Sequence, residues 1–274
     1  AAELSGAVDK FLADAGGPVA AGTAGVIISP HAGYIYSGGV AAYGFKAVSR
    51  QDVKTVVIFS PSHYFPFRGL AVWASGAFET PLGTVPVDED LARRFLSQDS
   101  RFQFNKAVFE REHGIETQLP FIQKVFPNAK IVPVIFGQPD LSVAEAVGKA
   151  LLVAIGGRDD VLVDVSSDQS HFHVDDEARA IDKRGLDAIE AMDIERFWNG
   201  HVTGEMEVDA FHAIAAAMLY AEGRGFTNVQ VVKYATSADA TGEKDRVVGY
   251  ASVVLSRPST EAAVSSTPAA EGVA

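Results

Sequence analysis

The sequence predicts an α/β fold, with a central mixed, mainly parallel β-sheet flanked by helices on both faces. Three observations carry this. Short β-branched runs alternate with longer amphipathic stretches, several runs are apolar along their whole length, and no internal repeat or linker divides the body. A strand buried on both faces needs no polar side, so unbroken apolar runs separated by helices fit a sheet covered above and below.

Val26-Ile27-Ile28 reads as the first buried strand, followed by a loop and a helix over Gly38 to Val48. Thr55 to Phe59 is the second strand, ending at Ser60-Pro61, and Leu70 to Trp73 is a third. The turn-rich Pro81 to Pro86 leads into a helix from about Asp88 to Leu96, where Asp88, Glu89 and Asp90 complement the positive end of the helix dipole. Gln118 to Phe126 is helical in pattern and stops before Pro127; Lys130 to Ile135 is strand-like. Ser142 reads as the cap of a helix running to Ile155, with Gly156-Gly157 as its stop. Val161 to Val165 is a strand, helices follow near Asp175 to Met192 and Met206 to Glu222, and strands at Val229 to Tyr234 and Val247 to Leu255 complete the sheet. Residues 1–255 form one catalytic domain in this reading. Residues 256–274, rich in Ala, Ser, Thr and Pro and without an aromatic, read as a disordered tail.

The 274 residues include 35 acidic and 23 basic side chains, a net charge of -12, and no cysteine. The missing cysteine excludes a disulfide scaffold, a thiol nucleophile and sulfur-bound zinc or iron–sulfur sites. The negative balance argues against nucleic acid, which needs a basic face. No apolar run approaches the roughly 20 residues of a membrane span, and the start lacks a signal peptide's regions. The expectation is a soluble, cytoplasmic protein acting on a small molecule, as a homo-oligomer.

Histidines mark where the chemistry lies. His31 follows the first strand in Ser29-Pro30-His31-Ala32-Gly33-Tyr34, and His63 follows the second in Ser60-Pro61-Ser62-His63-Tyr64. His171 and His173 follow the Val161–Val165 strand, with Asp168 three residues before His171. Ligands of open α/β sheets bind at the carboxyl ends of the strands, so these loops are expected to converge. His113 is undecided by pattern; His201 and His212 fall near helix ends or faces and read as structural. Imidazole and carboxylate are what borderline metals accept when thiolate is absent: two histidines and a carboxylate suit Fe(II), and the same set holds Zn(II) with a water. The His-Glu-x-x-His signature, the Gly-x-Ser-x-Gly elbow and the Gly-rich phosphate fingerprints are all missing.

At these residues the sequence resembles the Memo family, the middle component of the AmmeMemoRadiSam system. The resemblance runs from about Glu3 to Leu255. It is carried by Pro30-His31-Ala32-Gly33-Tyr34-Ile35-Tyr36-Ser37-Gly38, Ser60-Pro61-Ser62-His63, the Glu112 to Phe121 stretch, Ser166 to His171, and Val247 to Ala251. The family's usual Ala-Gly-x-Phe-Tyr-Pro opening is absent, which implies a trimmed start. The resemblance implies a fold like that of class III extradiol dioxygenases, which hold Fe(II) with two histidines and a glutamate. By position, His31 and His63 resemble the iron-binding histidines, His171 the acid–base histidine and His113 the second-sphere histidine. Animal members place a cysteine in the segment after Tyr234, where Ala240 stands here, so the adjacent Asp239 is the expected third ligand, ahead of Glu243. Asp168 and His113 are expected to orient His171 or the substrate, and Tyr34 and Tyr36 to form an aromatic wall. The expected activity is a dioxygenase-like oxidation of a small phenolic substrate with O₂, with radical-SAM and AMMECR1-type pathway partners implied by the family. A Zn-dependent hydrolase and a non-catalytic ligand or phosphopeptide-binding module are the alternatives.

Overall fold

A computed structural model describes residues 1–17, 20 and 22–257. The chain opens with α1 (Ala2–Asp14), β1 (Ala24–Ser29), α2 (Tyr34–Val48) and β2 (Thr55–Pro61). Strand β3 (Leu70–Val72) is followed by β4 (Ala77–Thr80), β5 (Gly83–Pro86), α3 (Glu89–Leu96) and β6 (Phe102–Gln103). Short helices α4 (Lys106–Phe109), α5 (His113–Glu116) and α6 (Leu119–Val125) lead to β7 (Lys130–Phe136) and α7 (Leu141–Ile155). Next come β8 (Val161–Ser166), β9 (His171–His173), α8 (Asp175–Glu190), α9 (Ile194–Val202) and α10 (Phe211–Arg224). The described chain closes with β10 (Asn228–Thr236), α11 (Ser237–Thr241) and β11 (Val247–Ser256).

The main sheet has the order β10-β11-β1-β8-β2-β7-β3-β6, with β9 attached to β11. Its centre, β1-β8-β2-β7, is parallel. Antiparallel pairings of β11 with β1, β10 with β11, and β3 with β7 extend it on either side. Every residue of β1, β2 and β8 is buried, as their unbroken apolar character requires. Helices α1, α2 and α6 pack together over one face, and α7, α9 and α10 pack together over the other. Phe45 of α2 stacks on Phe121 of α6 at 5.2 Å between ring centroids, fixing the first layer. Because β1, β2 and β8 run parallel, the loops that leave Ser29, Pro61 and Ser166 emerge at one edge of the sheet.

Several boundaries differ from the sequence reading. Helix α2 begins at Tyr34 rather than Gly38: Gly33 is its N-cap, and Ser37 Oγ donates back to Ala32 O at 2.7 Å. Tyr34 and Tyr36 therefore sit on its first turn. Residues 81–86 close a β4–β5 hairpin, and Asp140, not Ser142, caps α7 by accepting from the Ser142 amide at 2.9 Å. The stretch read as one helix from Met206 is a turn followed by α10, and α9 was not anticipated. Ser256 belongs to β11, paired with Ala24 and Asn228, so the sheet runs one residue past the expected domain end. Residues 258–274, which make up most of the expected tail, lie outside the described residues. Among the described residues no helix is long and apolar enough to cross a membrane.

Candidate metal centre

The loops after β1 and β2 bring His31 and His63 together, and α5 adds His113. Ring centroids of His31 and His63 are 4.9 Å apart, those of His31 and His113 5.3 Å, and those of His63 and His113 4.5 Å. One ligand nitrogen from each of the three lies within 4.8 Å of the others, an arrangement able to hold a metal ion. Gly114 permits this close approach of α5 to β2, since a Cβ there would lie 2.2 Å from Ser60 Oγ.

Neighbouring side chains fix which nitrogen each histidine offers. Ser166 Oγ donates its one proton to Gly114 O at 2.6 Å, so it accepts from His31 Nδ1, 2.9 Å away. Gln118 holds Ser166 in turn, donating to its Oγ and to Pro30 O, both at 3.1 Å. His63 Nδ1 lies 2.7 Å from Glu112 Oε1, and the His63 amide donates to Glu112 Oε2 at 2.9 Å. Both Nδ1 positions are thus engaged as donors, which leaves both Nε2 atoms facing the centre; this is how outer partners orient metal-binding histidines.

Between those two Nε2 atoms lies Asp209. Its Oδ2 is 2.8 Å from His31 Nε2 and 3.5 Å from His63 Nε2. Its Oδ1 accepts from Ser167 Oγ at 2.9 Å. Yet Oδ2 is buried and makes no hydrogen bond of acceptable geometry. A buried carboxylate oxygen aimed between two imidazole nitrogens, without aligning on either proton, is the arrangement expected of ligands that share a third atom. The donor set is nitrogen and oxygen only, as the absence of cysteine requires, and it fits Fe(II) or Zn(II).

The electrostatics match. Burial disfavours charge on His31, but Asp209 and Asp168 outweigh it and raise the imidazole to about 9. Burial likewise opposes charge on His63, and the carboxylates of Asp209 and Glu112 beside it raise it to about 10. Asp209 is driven below the ordinary range, its burial overcome by His31 and His63. His113 is lowered, first by burial and then by the charges of His31 and His63.

The remaining predicted residues are placed as follows. Asp168 is buried, and its Oδ1 accepts from the His31 amide at 2.8 Å and the Ala32 amide at 3.4 Å, so it clamps the β1 loop instead of orienting His171. Burial and Asp209 raise its carboxyl, while His31 and, less strongly, His171 favour its ionised form. His171 lies on β9 opposite Val248 of β11. Tyr34 donates its hydroxyl proton to Thr117 O at 2.7 Å, so toward a ligand that hydroxyl can only accept. Tyr34, Tyr36 and Asp239 line a cavity of about 450 Å³ to which none of the three clustered histidines contributes.

Asp239 is not brought to the histidines. Its Oδ2 accepts from the Thr236 amide at 2.7 Å and from Arg179 at 2.9 Å, and with Thr236 it forms the capping box of α11. The metal ligand expected at Asp239 is corrected accordingly: its Oδ2 serves both a helix start and an ion pair, and its side chain lines a cavity apart from the histidines. Glu243 follows α11 and is exposed. Asp209 and Glu112 were missed. Asp209 falls within an apolar spacing that reads as helix, and the signal it offered was an acidic residue two positions before the true helix start.

A family model described as "Memo-like protein" matches residues 1–254. A "MEMO1 family protein" of Caldivirga maquilingensis is 37% identical over 231 residues, covering 84% of this chain and 82% of the relative. One from Thermotoga maritima is 37% identical over 230 residues, with the same coverage of 84% and 82%. One from Thermotoga neapolitana is 35% identical over 255 residues, covering 93% and 87%. Among solved structures, an uncharacterized Escherichia coli K12 protein shares the fold with a TM-score of 0.50 at 12% identity, over 84% of this chain and 98% of that one. With the family model spanning nearly all of the α/β body and relatives above 30% identity along most of their own length, this chain belongs to the Memo family.

Proposed function

We propose that the chain is a metal-dependent oxidoreductase of the non-haem Fe(II) type, acting on a small phenolic substrate, with His31, His63 and Asp209 as metal ligands. One observation carries this: His31 Nε2, His63 Nε2 and the unpartnered Asp209 Oδ2 converge, with the Oδ2 contacts at 2.8 and 3.5 Å. Two histidines and one carboxylate on one side of a site are the donor set of non-haem Fe(II) oxygenases. Iron held there would supply the binding and activation of O₂ next to the substrate's oxygens.

The chain's own groups do the rest. His113, half-exposed and held neutral by burial and its charged neighbours, is suited to accept a phenolic proton at Nδ1 or Nε2. His171 is the second candidate acid–base group, reached through the loop that also carries Asp168. Ser166, Glu112 and Ser167 hold the three ligands in place. The grouping of His31, His63 and His113 supports a second reading, since three histidines are also a catalytic Zn(II) set.

Iron content and O₂ uptake with a panel of catechols test the proposal on wild type and His31→Ala. Stoichiometric iron in the wild type, lost in the variant, together with O₂ uptake, is the expected result. Unchanged iron in His31→Ala refutes the ligand set, and anaerobic turnover of an ester or amide favours the zinc reading.

A further inference from the structure

We propose that His212 is a specificity-determining residue, the polar end of a slot that receives a flat hydroxylated ring on the His63–Asp209 side of the centre. This rests on the metal-centre reading above and extends it to a substrate subsite. A cavity of about 290 Å³ lies between the loops leaving β2 and β7 and the start of α10. Its walls include Tyr64, Phe65, Pro66 and Pro139; His63 and Asp209 face it from the centre, and His212 lines it as well. Tyrosine, phenylalanine and proline rings offer flat, weakly polar surfaces, and the volume suits one small arene rather than a polymer.

His212 lies on the first turn of α10, three residues after Asp209. The edges of Phe136 and Phe211 hold its ring, with centroids at 5.2 and 5.4 Å. It is 4% exposed, the Gly137 backbone lies beside it, and neither ring nitrogen has a well-formed hydrogen bond. Buried imidazoles almost always find partners, so a ring that lacks them while lining a cavity is matched by whatever occupies that cavity. Burial lowers its basicity to about 4, so at neutral pH one nitrogen donates and the other accepts. A phenolic hydroxyl, itself donor and acceptor, complements that pair, while a second oxygen on the same ring would reach toward His63 and Asp209.

The test uses the full chain loaded with Zn(II), which is redox-silent, and 4-nitrocatechol as the probe, followed by its visible absorbance. His212→Phe keeps the ring shape and removes both nitrogens; the expected result is about tenfold weaker probe binding with unchanged zinc stoichiometry. The ligand-free melting temperature of that variant is expected to rise, because two unmatched buried polar atoms are gone. His212→Gln, which retains a donor and an acceptor, keeps most of the affinity. Unchanged probe affinity in His212→Phe, no probe binding to the loaded wild type, or a fall in its ligand-free melting temperature overturns the proposal. If the wild type takes up no zinc, the metal-centre reading fails instead, and the same comparison on the metal-free chain decides the role of His212.

Discussion

Asp164 lies within β8, the central strand that ends at Ser166, and it is wholly buried with neither carboxylate oxygen hydrogen-bonded. Burial pushes its carboxyl well above the ordinary 3.8. The folded chain therefore favours the neutral acid, while the unfolded chain ionises it near pH ~4. For an acid raised in this way, stability is greatest at low pH and falls as pH rises, by about 1.4 kcal/mol for each pH unit until the folded carboxyl itself ionises. The ceiling on that loss at pH 7 is about 4 kcal/mol. Asp164→Asn keeps the shape, removes the charge and leaves a similar number of buried polar atoms unmatched. Urea unfolding followed by circular dichroism is expected to show the variant about 1–4 kcal/mol more stable at pH 7, and under about 1 kcal/mol more stable at pH 4.5. A variant less stable than wild type at pH 7, or a gain that does not shrink toward pH 4.5, refutes the reasoning. The first result would mean that Asp164 is ionised and paired in solution, and the second that the gain does not come from its charge.

Two further substitutions separate site from scaffold. Asp209→Asn is expected to weaken Zn(II) or Fe(II) binding by more than the roughly 10- to 100-fold that an outer-shell partner costs, read by competition with a chromophoric chelator. Asp239→Ala is expected to leave metal affinity unchanged and to cost about 0.5–2 kcal/mol by removing the side chain that accepts from the Thr236 amide at the α11 cap. Gly249→Ala places a Cβ 1.9 Å from Asp182 Oδ2, the oxygen that accepts from Tyr234 at 2.6 Å. Gly249 also exchanges backbone hydrogen bonds with Gln169 and Ser170, both at 2.9 Å. Thermal denaturation is expected to show a loss of about 1–3 kcal/mol as the loop carrying His171 is displaced.

The parallel centre of the sheet was legible because its strands are apolar on both sides, a pattern that only a doubly covered sheet explains. His31 and His63 were legible because each stands in a polar loop immediately after such a strand, where a parallel sheet collects its loops; His113, which α5 brings to them, was undecided by pattern. Asp209 was not legible, because it follows no strand. It reaches the centre from the turn before α10, and its placement depends on Ser167 and on the packing of α10 over the sheet. Asp239 was misassigned by counting along the chain from Tyr234 to Tyr250. Local chemistry argued otherwise: Thr236-Ser237-Ala238-Asp239 is a capping-box spacing, and such a carboxylate is committed to a helix start, here with Arg179 as its ion-pair partner. Spacing within an element was thus a better guide than register carried across two of them.

The same geometry that holds a metal also dictates what the metal must displace. Without metal, His31, His63 and Asp209 titrate as one unit, with the imidazoles raised to about 9 and 10 and the carboxylate kept ionised. Because these histidines are raised above their unfolded value of 6.5, the stability they contribute is fully present below about pH 6.5 and is lost as pH rises through 9 to 10. At pH 7.5 each Nε2 therefore carries a proton beside Asp209, and a cation can bind only by expelling them. Calorimetric titration of Zn(II) into the metal-free chain, in buffers of different ionisation enthalpy, is expected to show about two protons released per metal at pH 7.5. Apparent affinity should rise with pH up to the same window, since fewer protons then compete. An enthalpy independent of the buffer would mean that the nitrogens are already bare, and that Asp209 does not hold the imidazoles charged. In that case two neutral imidazoles and the Asp209 carboxylate would be a preformed site, and metal affinity would be flat from pH 7 to pH 9.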